Sequence, residues 1–221
     1  MTTDPGVSLK RGSLDRAGIF EAAVALVDRE GLHALNMRAL ARDLGVGTMS
    51  LYHHVANKED LLDGIVETVL GEMEMPQAAT APPEERVTLM ARSLRAVGLR
   101  HPECIPLLVT RPFQTGPALH PCEIAFGVLA EAGLDAEQAL VAFRTVVAYV
   151  LGFVMMESAG FFVGVANCGA AELMAMGLPR LAEIAPHLEG RDTERDFDTG
   201  LRLVEEGVLG QQAGEAPPVI V

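Results

Sequence analysis

The segment from Met37 to Leu62 holds the side chains whose types and spacing point most directly to a chemical role. Hydroxyl, phenol and imidazole groups lie close together in it, beside a methionine. Such polar groups hydrogen-bond to phosphate oxygens and base edges, and an apolar side chain contacts the thymine methyl group. The residues expected to face outward are Thr48, Met49, Ser50, Tyr52, His53 and His54. Together they predict a surface that reads double-stranded DNA.

Two short helices joined by a tight turn would position these side chains. Such helices cross at a steep angle, which requires a small residue on the first helix, glycine in the turn and apolar residues on the second. Ala41, Gly45 and Leu51 meet these requirements. Leu40, Leu44 and Val46 complete the predicted buried side. The spacing therefore predicts a helix-turn-helix whose second helix is the recognition helix.

Helical spacing dominates the rest of the chain, and no run of alternating apolar and polar residues indicates a strand. The predicted fold is all-α, with an N-terminal three-helix DNA-binding domain over residues 1–75 and a larger helical domain for ligand sensing and dimerisation over residues 76–221. The Ala- and Pro-rich stretch from Pro76 to Pro83 is the predicted linker. Helices are expected from a cap at Ser13 to Gly31, Asn36 to Leu44, Thr48 to His54, Asn57 to about Met75, Glu84 to Arg100, Pro102 to Val109, Ala118 to Ala132, Ala136 to about Gly164, Pro179 to about His187, and Thr193 to Leu209.

Charge is distributed unevenly along the chain. The net charge is -13, and most of the acidic excess follows residue 64, so basic residues of the first part can still face phosphate.

The apolar stretch from Val146 to Ala166 is long enough to span a bilayer, but Glu157 and two glycines interrupt it. A buried helix in a dimeric core is favoured over a membrane helix. The N-terminus has no apolar signal region, so we expect a cytoplasmic protein.

Two other classes of function have weaker support. A helical metal-binding protein or enzyme would need ligand spacing, yet the ExxH pattern from Glu30 to His33 straddles Gly31, where the first helix ends. Cys104, Cys122 and Cys168 are widely spaced without a CxxC pattern, so neither a zinc site nor a disulfide framework is indicated. A cysteine redox sensor is the third hypothesis. We predict no metal, no cofactor and no catalysis.

The segment around the predicted turn resembles the DNA-binding domain of the tetracycline repressor (TetR) family. The matching residues begin with a helix stop at Gly31 and continue with Leu40-Ala41 and the turn Gly45-Val46. They end with Leu51-Tyr52, His53-His54 and the Asn-Lys-Glu-x-Leu motif at residues 57–61. This resemblance implies a regulator that binds operator DNA and is released by a small molecule.

The resemblance also implies roles for individual residues. Tyr52, His54 and Lys58 are expected to bind phosphates, and these contacts set the position of the protein on DNA. Thr48, Met49, Ser50 and His53 are expected to reach base edges, and Arg38 to read a guanine or pair with phosphate. Gly47 completes the predicted DNA-binding set. Each of these residues could instead be an ordinary packing or surface residue.

A homodimer is expected, because one small helix-turn-helix buries too little surface to bind an operator tightly. The predicted interface combines the long helix from Ala136 with the last helix, as in the four-helix bundle that the family uses. On the last helix, Phe197, Leu201, Val204 and Val208 form a stripe with i, i+4, i+7, i+11 spacing. The alternative is that this stripe packs inside its own subunit.

The second domain resembles the C-terminal domain of the tetracycline-repressor subgroup. The resemblance places Thr110-Arg111-Pro112 in the loop that couples the ligand pocket to the DNA-binding domains. At the two positions that face the metal in that subgroup, this chain has Leu107 and Met156. A largely apolar effector is therefore expected instead of a magnesium-drug chelate. The predicted ligand contacts are Met90, Leu94, Leu107, Phe113, Phe126, Tyr149, Phe153, Met156 and Phe161. His101, His120, Glu123 and Glu157 are candidate polar anchors.

Overall fold

The structure is a computed structural model that describes residues 14–76, 81–160, 168–187 and 192–210. These residues form helices and no strands, as predicted. The helices are α1 (Arg16–Glu30), α2 (Met37–Asp43), α3 (Thr48–Tyr52), α4 (Lys58–Gly71), α5 (Pro83–Arg100), α6 (Ile105–Thr110), α7 (Gly116–Glu131), α8 (Ala136–Ser158), α9 (Ala170–Ala175), α10 (Pro179–Ile184) and α11 (Thr193–Leu209). Short 3-10 turns lie at Leu32–Ala34, Pro102–Cys104 and Ala185–His187.

Side-chain caps fix the starts of several helices. The side chains of Asn36 and Asn57 accept hydrogen bonds from backbone N–H groups in the first turns of α2 and α4. Asp135 and Gln138 form the predicted capping box at the start of α8. The cap of α1 is Asp15, which accepts from Gly18 N, so the prediction of a cap at Ser13 was wrong. Asp15 provides the same kind of oxygen acceptor two residues later in the chain.

Several helix ends differ from the predictions. The fourth helix ends at Gly71 instead of Met75, and the third ends at Tyr52, with His53 and His54 in a turn. The long helix α8 ends at Ser158, followed by Gly160 in a left-handed conformation with φ of 66°. Helix α9 was not predicted from the sequence. Helix ends are hard to predict because apolar periodicity continues past the last hydrogen-bonded turn.

One hydrophobic core runs from the DNA-binding helices into the larger helical part. It contains buried residues of α1 to α8 and of α11. Helix α4 packs on α1 and also on α5, α6 and α7. At the α1–α4 crossing, the buried Gly64 lies directly against the ring of Phe20. A helix from the N-terminal part is therefore enclosed by the helices of the C-terminal part.

The aromatic residues of α8 and α11 pack against each other inside the subunit. Tyr149 and Phe153 of α8 contact Phe197 of α11, with ring centroids 5.5 and 5.3 Å from that of Phe197. The Tyr149 hydroxyl donates a 2.8 Å hydrogen bond to the backbone oxygen of Phe197. The Arg95 guanidinium lies 4.9 Å from the centre of the Phe197 ring. These contacts attach the last helix to the long helix.

Candidate nucleic-acid interface and ligand cavity

Helices α2 and α3 form the predicted helix-turn-helix. Gly45 adopts a left-handed conformation with φ of 67°, which lets the chain reverse direction between the helices. The Val46 N–H then donates to Ala41 O at 2.9 Å. Leu40 and Leu51 are fully buried beneath this turn. The residue types that the sequence analysis selected for the turn are thus the ones that close it.

The predicted DNA-binding residues lie on α2, on α3 and the residues that flank it, and at the start of α4, and none of them is buried. Met49 is the most exposed large apolar side chain in the described part of the chain, at 71%. Arg38, Tyr52, His53 and Lys58 are also exposed, whereas Thr48, Ser50 and His54 are partly covered. Gly47 is the N-terminal cap residue of α3. An exposed methionine among hydrogen-bond donors is a surface suited to a groove of DNA.

A separate cavity of about 180 Å³ lies in the larger helical part. Its wall is apolar, and among the described residues that line it only Cys122 has a side chain with a hydrogen-bond donor. Burial raises the pKa of the Cys122 thiol, so this group is neutral near pH 7. The lining residues are Leu70, Met73, Val87, Met90, Ala91, Leu94, Leu108, Phe113, Pro121, Cys122, Ala125, Leu129, Phe143, Val146, Val147, Val150 and Leu151. The arrangement suits a compact apolar molecule.

Three of the predicted ligand contacts, Met90, Leu94 and Phe113, line this cavity. Five others lie outside it: Leu107 is in the core, Tyr149 and Phe153 pack with Phe197, Phe126 packs on Phe143, and Met156 is exposed. Phe161 lies outside the described residues. Which face of a helix meets the cavity depends on how the helices cross, and the sequence pattern does not specify this crossing.

Two cavity residues near the end of α4 were not predicted from the sequence. Leu70 lies in the last turn of α4, and Met73 follows two residues after the helix. The residues of α8 that line the cavity were not predicted either, and of these Phe143, Val147 and Val150 follow i, i+4, i+7 spacing. That spacing could have indicated one face of α8, but no local pattern links this face to α4. The fourth helix of the DNA-binding part therefore reaches the cavity wall.

The candidate polar anchors do not line the cavity. Glu157 pairs with Arg95 at 2.8 Å, and both side chains are mostly buried. His101 lies between two carboxylates, 2.7 Å from that of Asp28 and 3.1 Å from that of Glu72. His120 and Glu123 are exposed. No group of three or more metal-ligating side chains occurs among the described residues.

Arg111 joins the larger helical part to the first turns of α4. Its guanidinium donates to the carboxylates of Glu59 and Asp63, at 2.6 Å in each case. Because Lys58 is the first residue of α4, these ion pairs hold the helix beside a predicted phosphate contact. The loop after α6 thus contacts one end of α4, and the cavity contacts the other.

Two of the residues predicted for the dimer interface do not face outward. Phe197 is 0% exposed and Leu201 is 1% exposed, and the helix that carries them packs against α8 in the same subunit. For these two residues the structure fits the alternative that the stripe packs inside its own subunit. Val204 and Val208 are partly exposed, so their role in an interface stays a prediction.

Other apolar side chains are exposed on the same two helices. On α8 they include Val141, Ala148 and Met155, and on α11 they include Leu203, which is 68% exposed. By length and composition α8 could also cross a membrane, although core helices of soluble proteins meet the same criteria. We use the name α8–α11 face for these four exposed residues, Val141, Ala148, Met155 and Leu203.

Comparisons with known proteins agree on one family across both parts of the chain. Residues 19–65 match bacterial regulatory proteins of the tetR family, and residues 76–211 match the tetracyclin repressor-like C-terminal domain. An HTH-type transcriptional regulator of Saccharopolyspora erythraea is 34% identical over 195 residues, which cover 86% of this chain and 82% of that protein. The class A tetracycline repressor of transposon 1721 in Escherichia coli is 28% identical over 193 residues, covering 86% of this chain and 88% of that protein.

Among solved structures, Streptomyces coelicolor ActR in complex with actinorhodin has the same fold. The TM-score is 0.78 at 31% sequence identity, and the match covers 93% of this chain and 100% of the ActR chain. The similarity therefore includes the helix-turn-helix and the larger helical part together.

Proposed function

Because the chain belongs to the TetR family of bacterial transcriptional regulators, we propose that it is a repressor that leaves its operator when a small apolar molecule fills the cavity. The observation that carries this proposal is the position of α4. Leu70 lines the cavity near one end of the helix, and Lys58 begins the other end beside the recognition helix. A ligand that moves Leu70 therefore moves the DNA-binding surface.

The direct test measures binding of the purified protein to its own promoter DNA by fluorescence anisotropy. A panel of compact apolar compounds, from naphthalene to decanol, is then added. We expect at least one compound to weaken DNA binding by about tenfold, a coupling of about 1.4 kcal/mol. If none of them changes the affinity for DNA, the proposed effector class is wrong.

A cavity-filling variant separates binding in the cavity from binding elsewhere. Ala125 lines the cavity on α7, and Ala130 is exposed on the same helix. Because the added ring occupies the cavity as the compound would, we expect Ala125→Phe to bind promoter DNA more weakly than the wild type and to show no further response to the compound. The matched variant Ala130→Phe is expected to keep that response. A response that survives in Ala125→Phe would place the effector outside this cavity.

We also propose that the protein is a cytoplasmic homodimer whose subunits meet through the α8–α11 face. An exposed apolar surface on two adjacent helices is costly in water, and a second copy would cover it across a two-fold axis. We expect Leu203→Glu to give monomers in light scattering and to weaken DNA binding. Leu119→Glu, which changes an exposed leucine of α7, serves as the control. Dimers of Leu203→Glu would contradict the proposed interface.

The residue assignments follow from the same proposal. The DNA-binding unit is residues 1–75 and the sensing unit is residues 76–221, supported by the family matches on either side of residue 75. Arg38, Tyr52, His54 and Lys58 are proposed to contact phosphate or guanine. The alternative of a helical metal-binding protein or enzyme lacks a supporting cluster of ligands among the described residues.

A further inference from the structure

Arg16, the first residue of α1, reaches the turn that follows the recognition helix. Its Nη1 donates 2.9 Å hydrogen bonds to the backbone oxygen of His54 and to Oδ2 of Asp60. Its Nη2 donates to the other oxygen of the same carboxylate. The guanidinium also lies over the Phe20 ring, 4.8 Å from its centre. One side chain thus connects α1, the end of the recognition helix and α4.

The carboxylate of Asp60 completes this network from the other side of the turn. It accepts a 2.8 Å hydrogen bond from Ala56 N, and Asp60 N donates to the side chain of Asn57 at 2.9 Å. The hydrogen bond from Arg16 holds the pKa of Asp60 below its usual range, so the carboxylate stays charged near pH 7. The backbone from residue 54 to residue 60 is therefore tied to one ion pair, which we call the Arg16–Asp60 clamp.

We propose that the Arg16–Asp60 clamp positions the phosphate-contacting turn for DNA binding without contacting DNA itself. This inference rests on the proposed DNA-binding function. The Arg16 hydrogen bonds described above are made to atoms of the protein itself, and a carboxylate next to DNA repels phosphate. The contribution of the pair to DNA affinity therefore comes from the shape of the turn that carries His54 and leads to Lys58.

Two variants and one measured slope test the clamp. Promoter affinity is measured for Arg16→Ala and Asp60→Asn at several salt concentrations. We expect each variant to lose about three- to tenfold in affinity, as for a partly exposed charged hydrogen bond. The slope of log K against log salt concentration should stay at the wild-type value, because no phosphate contact is removed. Lys58→Ala, by contrast, should reduce the slope by about one.

Asp60→Asn distinguishes best between a clamp residue and a simple surface charge, because the two explanations predict opposite changes in DNA affinity. If Asp60 were only a surface charge, removing it would strengthen DNA binding by lowering repulsion. If it belongs to the clamp, DNA binding weakens. Arg29→Ala is the matched control, since Arg29 is also on α1, is 50% exposed like Arg16, and pairs with Asp43 instead of the turn. We expect this control to change affinity less than about twofold.

The remaining outcomes each overturn the clamp. A smaller slope in Arg16→Ala would make Arg16 a phosphate contact, and unchanged affinity with reduced thermal stability would make the pair merely structural. Circular dichroism and light scattering serve as controls that both variants are folded and have the wild-type subunit number. If the wild-type protein shows no salt-sensitive promoter binding, the proposed function fails and the clamp fails with it. If only the two variants behave otherwise than expected, the clamp alone is wrong.

Discussion

Replacing Gly64 by alanine tests whether the close crossing of α1 and α4 needs a residue without a side chain. Gly64 is buried in the middle of α4, and a Cβ atom there would lie closer than 3.0 Å to three ring carbons of Phe20. Carbon atoms in contact are normally about 3.5–4.0 Å apart. The Phe20 ring or the whole of α1 must therefore move to accept the extra methyl group.

The expected change in the free energy of unfolding is the sum of two opposing contributions. Overpacking of a filled core costs about 1–3 kcal/mol. Alanine in place of glycine inside a helix stabilises the helix by up to about 1 kcal/mol. The net expectation is a loss of about 1–2 kcal/mol, which lowers Tm by roughly 2–8 °C in a protein of this size.

Thermal unfolding at one fixed protein concentration provides the measurement, because the proposed dimerisation would make Tm depend on concentration. Gly127→Ala is the matched control, since Gly127 is exposed inside α7 and nothing would lie within 4 Å of its Cβ. This control should raise Tm. Adding Phe20→Leu to Gly64→Ala should recover part of the loss by making room. A Tm of Gly64→Ala equal to or above that of the wild type would refute this account of the helix crossing.

Three further predictions concern charged and nucleophilic groups. Arg111→Ala should speed hydrogen–deuterium exchange in the first turns of α4 by about tenfold, because the ion pairs that hold them are lost; unchanged exchange in α4 would contradict this. Burial raises the pKa of Cys104 to about 12, so iodoacetamide should not label this thiol at a mildly alkaline pH until urea unfolds the protein, as peptide mass mapping would report. Burial also raises the pKa of Glu205, so its charged form opposes folding near pH 7; Glu205→Gln should raise Tm at neutral pH, and the gain should vanish as the pH falls below about 4.

The sequence predicted the features that depend on local interactions. Asn36, Asn57 and the Asp135–Gln138 pair cap the helices where expected, because a cap needs only a side-chain oxygen near N–H groups within three residues. Gly45 closes the turn of the helix-turn-helix for a similarly local reason. Apolar periodicity then indicated most of the remaining helices.

Contacts between distant residues could not be predicted in the same way. Phe197 belongs to a correct apolar stripe, but the sequence does not say whether that stripe faces its own subunit or a partner. Met90 and Tyr149 were both predicted to contact the ligand, yet one lines the cavity and the other packs on α11. The Arg16–Asp60 ion pair joins residues 44 positions apart, so no local pattern indicates it.

Different helices supply the cavity residues that would bind the ligand and those that would pass its effect on to the DNA-binding surface. Most of the wall comes from α5, α7 and α8, and only Leu70 and Met73 come from the region of α4. After gene duplication, substitutions on α5, α7 and α8 can change which compound one copy binds. Helix α4 and its contacts with the DNA-binding helices then stay intact. Divergent copies in one genome can therefore share promoters while answering to different chemical signals.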